Sequence, residues 1–288
     1  MKQDLRKQPI GIFDSGVGGL TVYRALREAL PHEDFIYLGD TARLPYGTKS
    51  KETVERYTIN AARLLQKQEI KFLVVACNTA SAYALDALQN ALPDLSYCGV
   101  LAAGAEASVK TTRNGKIAVL ATEGTVRSGT YINFIKKLRA DADVQMQACQ
   151  MLVALAEEGW CDGVEAETII SRYLNELEPG FDTILLGCTH FPILIPTFRK
   201  LCSPDVNIVD SASVTALTVR DLLVARNLKN PQETPGTETF LATDLPERFA
   251  RVGKHFLGCD IADRVHLTSL ITSPFDFEDE DFLLGSVA

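Results

Sequence analysis

Apolar residues fall into short runs, each ending in glycine or small polar residues and most followed by a segment with helical spacing. Residues 9–13 lead into Asp14-Ser15-Gly16-Val17-Gly18-Gly19, after which Leu20, Tyr23, Leu26 and Leu30 recur at helical intervals. Residues 35–38 lead into Gly39-Asp40, and residues 72–75 into Ala76-Cys77-Asn78-Thr79 and an Ala- and Leu-rich helix over 80–92. Residues 117–120 lead into Ala121-Thr122-Glu123-Gly124, and residues 183–186 into Gly187-Cys188-Thr189-His190. Buried strands alternating with helices predict parallel sheets covered on both faces, an α/β fold.

Two of these units repeat. Residues 10–16 align with 118–124 at an offset of 108, pairing Asp14 with Thr122, while Cys77 and Cys188 stand 111 apart in similar turns. The reading is two similar parallel-sheet lobes related by a pseudo-twofold axis, with the site in the cleft between them; chance likeness among α/β turns gives the same pattern. Residues 1–98 plus about 211–228 form the first lobe, and 99–210 the second. Residues 229–270 hold a linker around Asn230-Pro231 and Pro235-Gly236, a late edge strand over 239–243 and a helix over 246–257, and are left without a lobe.

Net charge is −8, and the 271–288 tail holds five acids between Phe275 and Phe282, which reads as a solvated end. Such a balance argues against a nucleic-acid partner, because phosphate contacts need clustered Lys and Arg. No apolar run reaches the ~18–20 residues of a membrane span. The first ten residues lack the apolar core of a secretory signal. With seven cysteines and no C-x-x-C pair, free thiols in a reducing cytoplasm are expected.

The glycine turn fails the dinucleotide pattern, since Thr21 occupies its last position. Free N–H groups at such a turn still favour an anion, and with Asp14 and Ser15 beside it the reading moves towards a small carboxylate; a plain tight turn is the bland alternative. Cys77-Asn78-Thr79 and Cys188-Thr189-His190 carry more. A cysteine entering a helix is expected to have a lowered thiol pKa, and His190 lies within reach of Cys188. One buried cysteine is ordinarily an inert hydrophobe. Two at equivalent turns suit proton transfer at a stereocentre, one removing a proton from one face while the other delivers it to the opposite face. Zinc ligation lacks the needed spacing, and a hydrolytic Cys–His pair leaves the second cysteine unexplained. Pro45-Tyr46-Gly47 reads as a ligand loop, Arg43 as the one motif cation, or a structural one, and Glu157-Glu158-Gly159 as a solvated helix end. Cys98, Cys149, Cys161, Cys202 and Cys259 are read as structural.

The segments GIFDSGVGGLTV (11–22), YLGDTARLPYG (37–47), ACNTASA (76–82) and GCTHFP (187–192) together resemble bacterial glutamate racemases, of the aspartate/glutamate racemase superfamily. The resemblance covers the first two thirds of the chain. It implies interconversion of L- and D-glutamate without metal or cofactor, supplying D-glutamate for peptidoglycan. It places the two acid/base cysteines on Cys77 and Cys188, assisted by Asp14 and His190. Substrate binding falls on Asp14, Ser15, Tyr46, Gly47, Asn78, Thr79, Thr189 and His190. A homodimer is a further implication. An aspartate or other amino-acid racemase on this scaffold, or a non-catalytic glutamate-binding regulator, is the alternative.

Overall fold

A computed structural model of the chain describes residues 4–270; the acidic tail over 271–288 lies outside them. The first sheet contains β1 (Ile10–Asp14), β2 (Phe35–Gly39), β3 (Phe72–Val75) and β4 (Tyr97–Gly99). The second contains β5 (Lys116–Ala121), β6 (Asp143–Ala148), β7 (Thr183–Gly187) and β8 (Asn207–Asp210). Two late strands, β9 (Glu238–Ala242) and β10 (Val265–Leu267), return to the first sheet, giving the order β10-β9-β2-β1-β3-β4 beside β6-β5-β7-β8. All the ladders are parallel. Without β9 and β10, the two sheets have the same strand order. The fold is a pair of parallel-sheet α/β lobes.

The ladders also correct the sequence alignment. Val75 lies beside Phe13 and Leu186 beside Leu120, so each cysteine stands two residues past an equivalent pair. With Cys77 matched to Cys188, Asp14 corresponds to Ala121, one residue before Thr122.

Side chains alternate across each strand because successive Cβ atoms point to opposite faces. Ile10, Ile12, Tyr37 and Val74 join Ile117, Val119 and Leu185 in one apolar cluster shared by both sheets. Leu20 and Leu26, Leu101 and Ala105, and Ala216, Val219 and Leu223 belong to that cluster too. They come from the helices Leu20–Ala29, Leu101–Thr111 and Ser211–Ala225, the last of which packs on the other two. The opposite faces have separate cores, Phe13, Leu38 and Val75 on one sheet and Leu120, Ile184 and Leu186 on the other.

Two expectations change. The strand over 239–243 is not at an edge, because β10 pairs with its outer side. The helix over 80–92 is two helices, Asn78–Tyr83 and Leu85–Ala91, divided at Ala84. The segment before β9 is held at the amino ends of the strands. Asn230 N–H donates to the Glu33 carboxylate at 2.7 Å, and the other Glu33 oxygen pairs with Lys71 Nζ. Both charged side chains are sealed from water. Removing one partner of such a pair leaves an uncompensated buried charge. Lys71→Met should therefore cost about 3–5 kcal/mol of stability, read as a lowered urea midpoint with unchanged slope.

Candidate active site

β1 delivers Asp14 to the carboxyl end of the first sheet, with no exposed surface. Its carboxylate accepts the Gly16 N–H at 2.9 Å and the N–H of Gly19. These N–H groups of the glycine turn therefore hold the protein's own Asp14, in place of the small-carboxylate site expected from sequence. Burial pushes the Asp14 carboxyl upward, against the opposing effect of His190 and these bonds. Gly18 is glycine for contact: a Cβ there would lie 2.4 Å from His190 Nδ1 and 2.5 Å from Thr189 Oγ1. Thr21, which broke the dinucleotide pattern, donates its hydroxyl to the Thr189 carbonyl at 2.8 Å. Thr189 Oγ1 in turn donates to Asp14 at 3.4 Å.

Cys77 caps the Asn78–Tyr83 helix, its sulfur accepting the Ala80 N–H at 3.4 Å and standing 3.6 Å from Ser15 Oγ. The lowered thiol pKa expected there does not occur. Burial and the nearby Asp14 charge outweigh the helix N–H and push Cys77 up to about 12. Cys188 follows β7 and leads into a 3₁₀ turn, Phe191–Leu194, where the sequence suggested an α-helix. Thr189, next to Cys188, donates to Asp14, and Ser15, next to Asp14, touches the Cys77 sulfur, so both cysteine turns meet at the Asp14–Ser15 turn.

Asn78 Nδ2 donates to Tyr131 Oη at 2.9 Å, leaving Asn78 Oδ1 buried without a partner among the described residues. Thr79 Oγ1 lies 2.9 Å from Thr122 Oγ1 and 3.3 Å from Thr125 Oγ1, bridging the lobes. Gly47 packs on the same seam, since an added Cβ would fall 2.8 Å from Thr122 Cβ. Tyr46 is buried, and its hydroxyl donates to Asp40 at 2.7 Å. Arg43 also binds Asp40, at 2.9 Å, and lies over the Tyr57 ring, so its visible work is structural.

His190 Nδ1 lies 3.8 Å from Cys188 Sγ and its Nε2 lies 3.2 Å from Glu157 Oε1. Burial opposes the imidazolium, yet the bonds to Cys188 and Glu157 outweigh it and push His190 up to about 10. Burial likewise opposes the Glu157 carboxylate, and His190 with Arg248 overrides it to hold its pKa below the usual range. The solvated helix end expected from sequence does not occur at Glu157. Its side chain is only 16% exposed and accepts from Arg248 Nη2 at 3.4 Å. Tyr131 and Arg248 have no motif around them, and Glu157-Glu158-Gly159 carries no sign of its partners; only the folded chain brings these side chains together. The other five cysteines are free and stand outside these contacts, although Cys149 shares the apolar cluster of Cys188. Among the described residues, no cluster of three His, Cys, Asp or Glu side chains can hold a metal, and no helix is long and apolar enough to cross a membrane.

Two parallel-sheet lobes of one strand order, each with a cysteine turn at its carboxyl end, point to an amino-acid racemase, and comparison with known proteins agrees. The chain belongs to the Asp/Glu/hydantoin racemase family, whose model matches residues 10–219, and within it to the glutamate racemases. It is 48% identical over 255 residues to the glutamate racemase of Geobacter metallireducens, covering 88% of this chain and 94% of that one. The crystal structure of the Francisella tularensis glutamate racemase with D-glutamate superposes with a TM-score of 0.86 at 34% identity. That match covers 93% of this chain and 100% of the other. A glutamate racemase isoform of Bacillus anthracis gives 0.87 at 34% identity, covering 92% and 98%.

The His190 environment has a measurable consequence. Between pH 6.5 and 9 the folded state keeps a proton that an unfolded histidine releases, so stability is full below pH 6.5 and falls as pH rises towards about 10. Glu157→Gln should flatten this fall in denaturant titrations at stepped pH; an undiminished slope would contradict the assignment.

Proposed function

We propose that the chain interconverts L- and D-glutamate by a two-base mechanism without a cofactor. The observation that carries this reading is the pair of buried cysteines at equivalent strand ends, each beside a different proton-handling group. Cys188 has the His190 imidazolium and Cys77 has Asp14. By family resemblance, Cys188 takes the α-proton of L-glutamate as thiolate while the Cys77 thiol delivers a proton to the opposite face. The product is D-glutamate with Cys188 as thiol and Cys77 as thiolate; the return reaction reverses every transfer.

The high proton affinity of Cys77 supports an empty site with Cys77 protonated, ready to act as the acid towards L-glutamate. Asn78 Oδ1, buried and lacking a partner among the described residues, suits the substrate ammonium better than its carboxylate. The carboxylate, where charge develops as the proton leaves, is left to hydroxyls and backbone N–H groups of the Thr79 and Thr189 turns. One such donor contributes about 3–4 kcal/mol in other enzymes. Ser15, Tyr46 and Gly47 complete the binding set, with Tyr46 acting through the loop that Asp40 anchors. The same reading assigns the D-glutamate to peptidoglycan, the enzyme to the cytoplasm and the assembly to a homodimer; the free thiols are consistent with a reducing compartment.

L-glutamate in D2O with purified, cofactor-free protein should give D-glutamate carrying α-deuterium. No exchange and no D-isomer would remove the racemase reading. Cys77→Ser and Cys188→Ser should each lower racemisation by orders of magnitude, because a hydroxyl is a far weaker base than a thiolate. The same change at Cys98 or Cys202 should leave turnover intact.

A further inference from the structure

The helix Pro246–Leu257 carries Arg248, Val252 and Phe256 four residues apart, on one face. Phe256 meets the His190 ring edge-on, with centroids 5.5 Å apart and planes at 88°. Arg248 donates to Glu157 Oε2, the oxygen that His190 does not use. The helix Gln150–Glu158, which carries Glu157, belongs to the second lobe, whereas the Pro246–Leu257 helix joins β9 to β10 of the first sheet. Between them lies a cavity of about 310 Å³ bordered by Glu157, Arg248, Val17, Phe249 and Val252. Glu157 therefore has open space into which it can turn when Arg248 is lost.

We propose that Arg248 is a positioning residue, which holds the Glu157 carboxylate against His190 Nε2 from the opposite lobe and thereby keeps the imidazole aimed at Cys188. This rests on the two-base reading. It makes the seating of the last helix a condition of proton transfer on the Cys188 side. Arg248 touches neither cysteine and stays outside the reacting atoms.

Charge and position make opposite demands, which gives the test its sign. His190 faces Cys188, Glu157 and Asp14, and Arg248 shares its cavity with Asp244. Were Arg248 only a distant cation, its removal would raise the proton affinity of His190, since one repelling positive charge is gone. Were it a positioning residue, Glu157 swings away and the affinity falls.

The imidazole nitrogen resonances of the full-length, substrate-free protein report this directly. There are four histidines, and His190 is assigned by its absence in His190→Gln. In Arg248→Met the His190 titration should move down by roughly one pH unit, and in Arg248→Lys it should return most of the way. kcat should fall roughly tenfold in Arg248→Met, a fraction of the 10²–10⁴ contributed by a positioned acid or base, with Arg248→Lys largely restored. An unmoved or upward titration in Arg248→Met overturns the proposal. Absence of exchange in the unaltered protein would instead strike the racemase reading, which the nuclear resonance measurement does not depend on.

Discussion

The Cys188 turn lies against the glycine turn after β1 because Gly18 has no side chain there. Thr189 and His190 occupy the space a Cβ would need, and Thr21 and Asp14 take up Thr189's carbonyl and hydroxyl. That contact fixes three things together. It brings the carboxyl ends of two separate sheets to one place. It seals Asp14 from water, which raises that carboxyl's proton affinity, while Cys77 is raised by its own burial and then by the Asp14 charge. It also sets His190 between Cys188 and Glu157. The chemistry proposed for the cleft depends on a close approach of backbone more than on any single polar side chain.

The duplicated topology does not make the two halves chemically alike. At the position equivalent to Asp14 the second lobe has Ala121, and His190 stands where the first has Thr79. One cysteine sits beside a carboxylate that favours its thiol form, the other beside a cation. A substrate whose two enantiomers exchange the faces of one carbon meets a scaffold that is symmetric in strand order and asymmetric in charge. In the proposed mechanism both directions use the same pair of groups, each entering in the protonation state the other direction leaves.

Much of this was legible because the strands of the inner sheet layer are continuous apolar runs: the run over 72–75 matches β3 at its full extent, and those of β1, β2, β5 and β7 match to within a residue or two. The four missed strands show the limit. β6 reads Asp-Val-Gln-Met-Gln-Ala and is nowhere fully buried, β4 and β10 are three residues each, and β8 is a four-residue edge. Their existence is set by a neighbouring strand, which no local pattern records. The cysteine turns and their neighbours were visible as motifs, because those residues are contiguous. Glu157 and Arg248 were not, since each is an ordinary charged residue on an amphipathic helix until the packing of two distant helices joins them. The helix-terminus argument for Cys77 failed for a related reason: the local N–H is present, but burial and Asp14, both products of tertiary structure, dominate.

The apolar cluster shared by the two sheets has a consequence for how the molecule can move. Ile12 and Val119, from different sheets, belong to the same interior, together with helices from both ends of the chain. Neither half keeps a complete interior of its own if the other is removed, so neither is a free-standing module. A movement of one sheet relative to the other along this common interior is a shear of packed helices over a short distance, not the swing of two independent bodies about a hinge. The layer that joins the halves is the layer on which they slide.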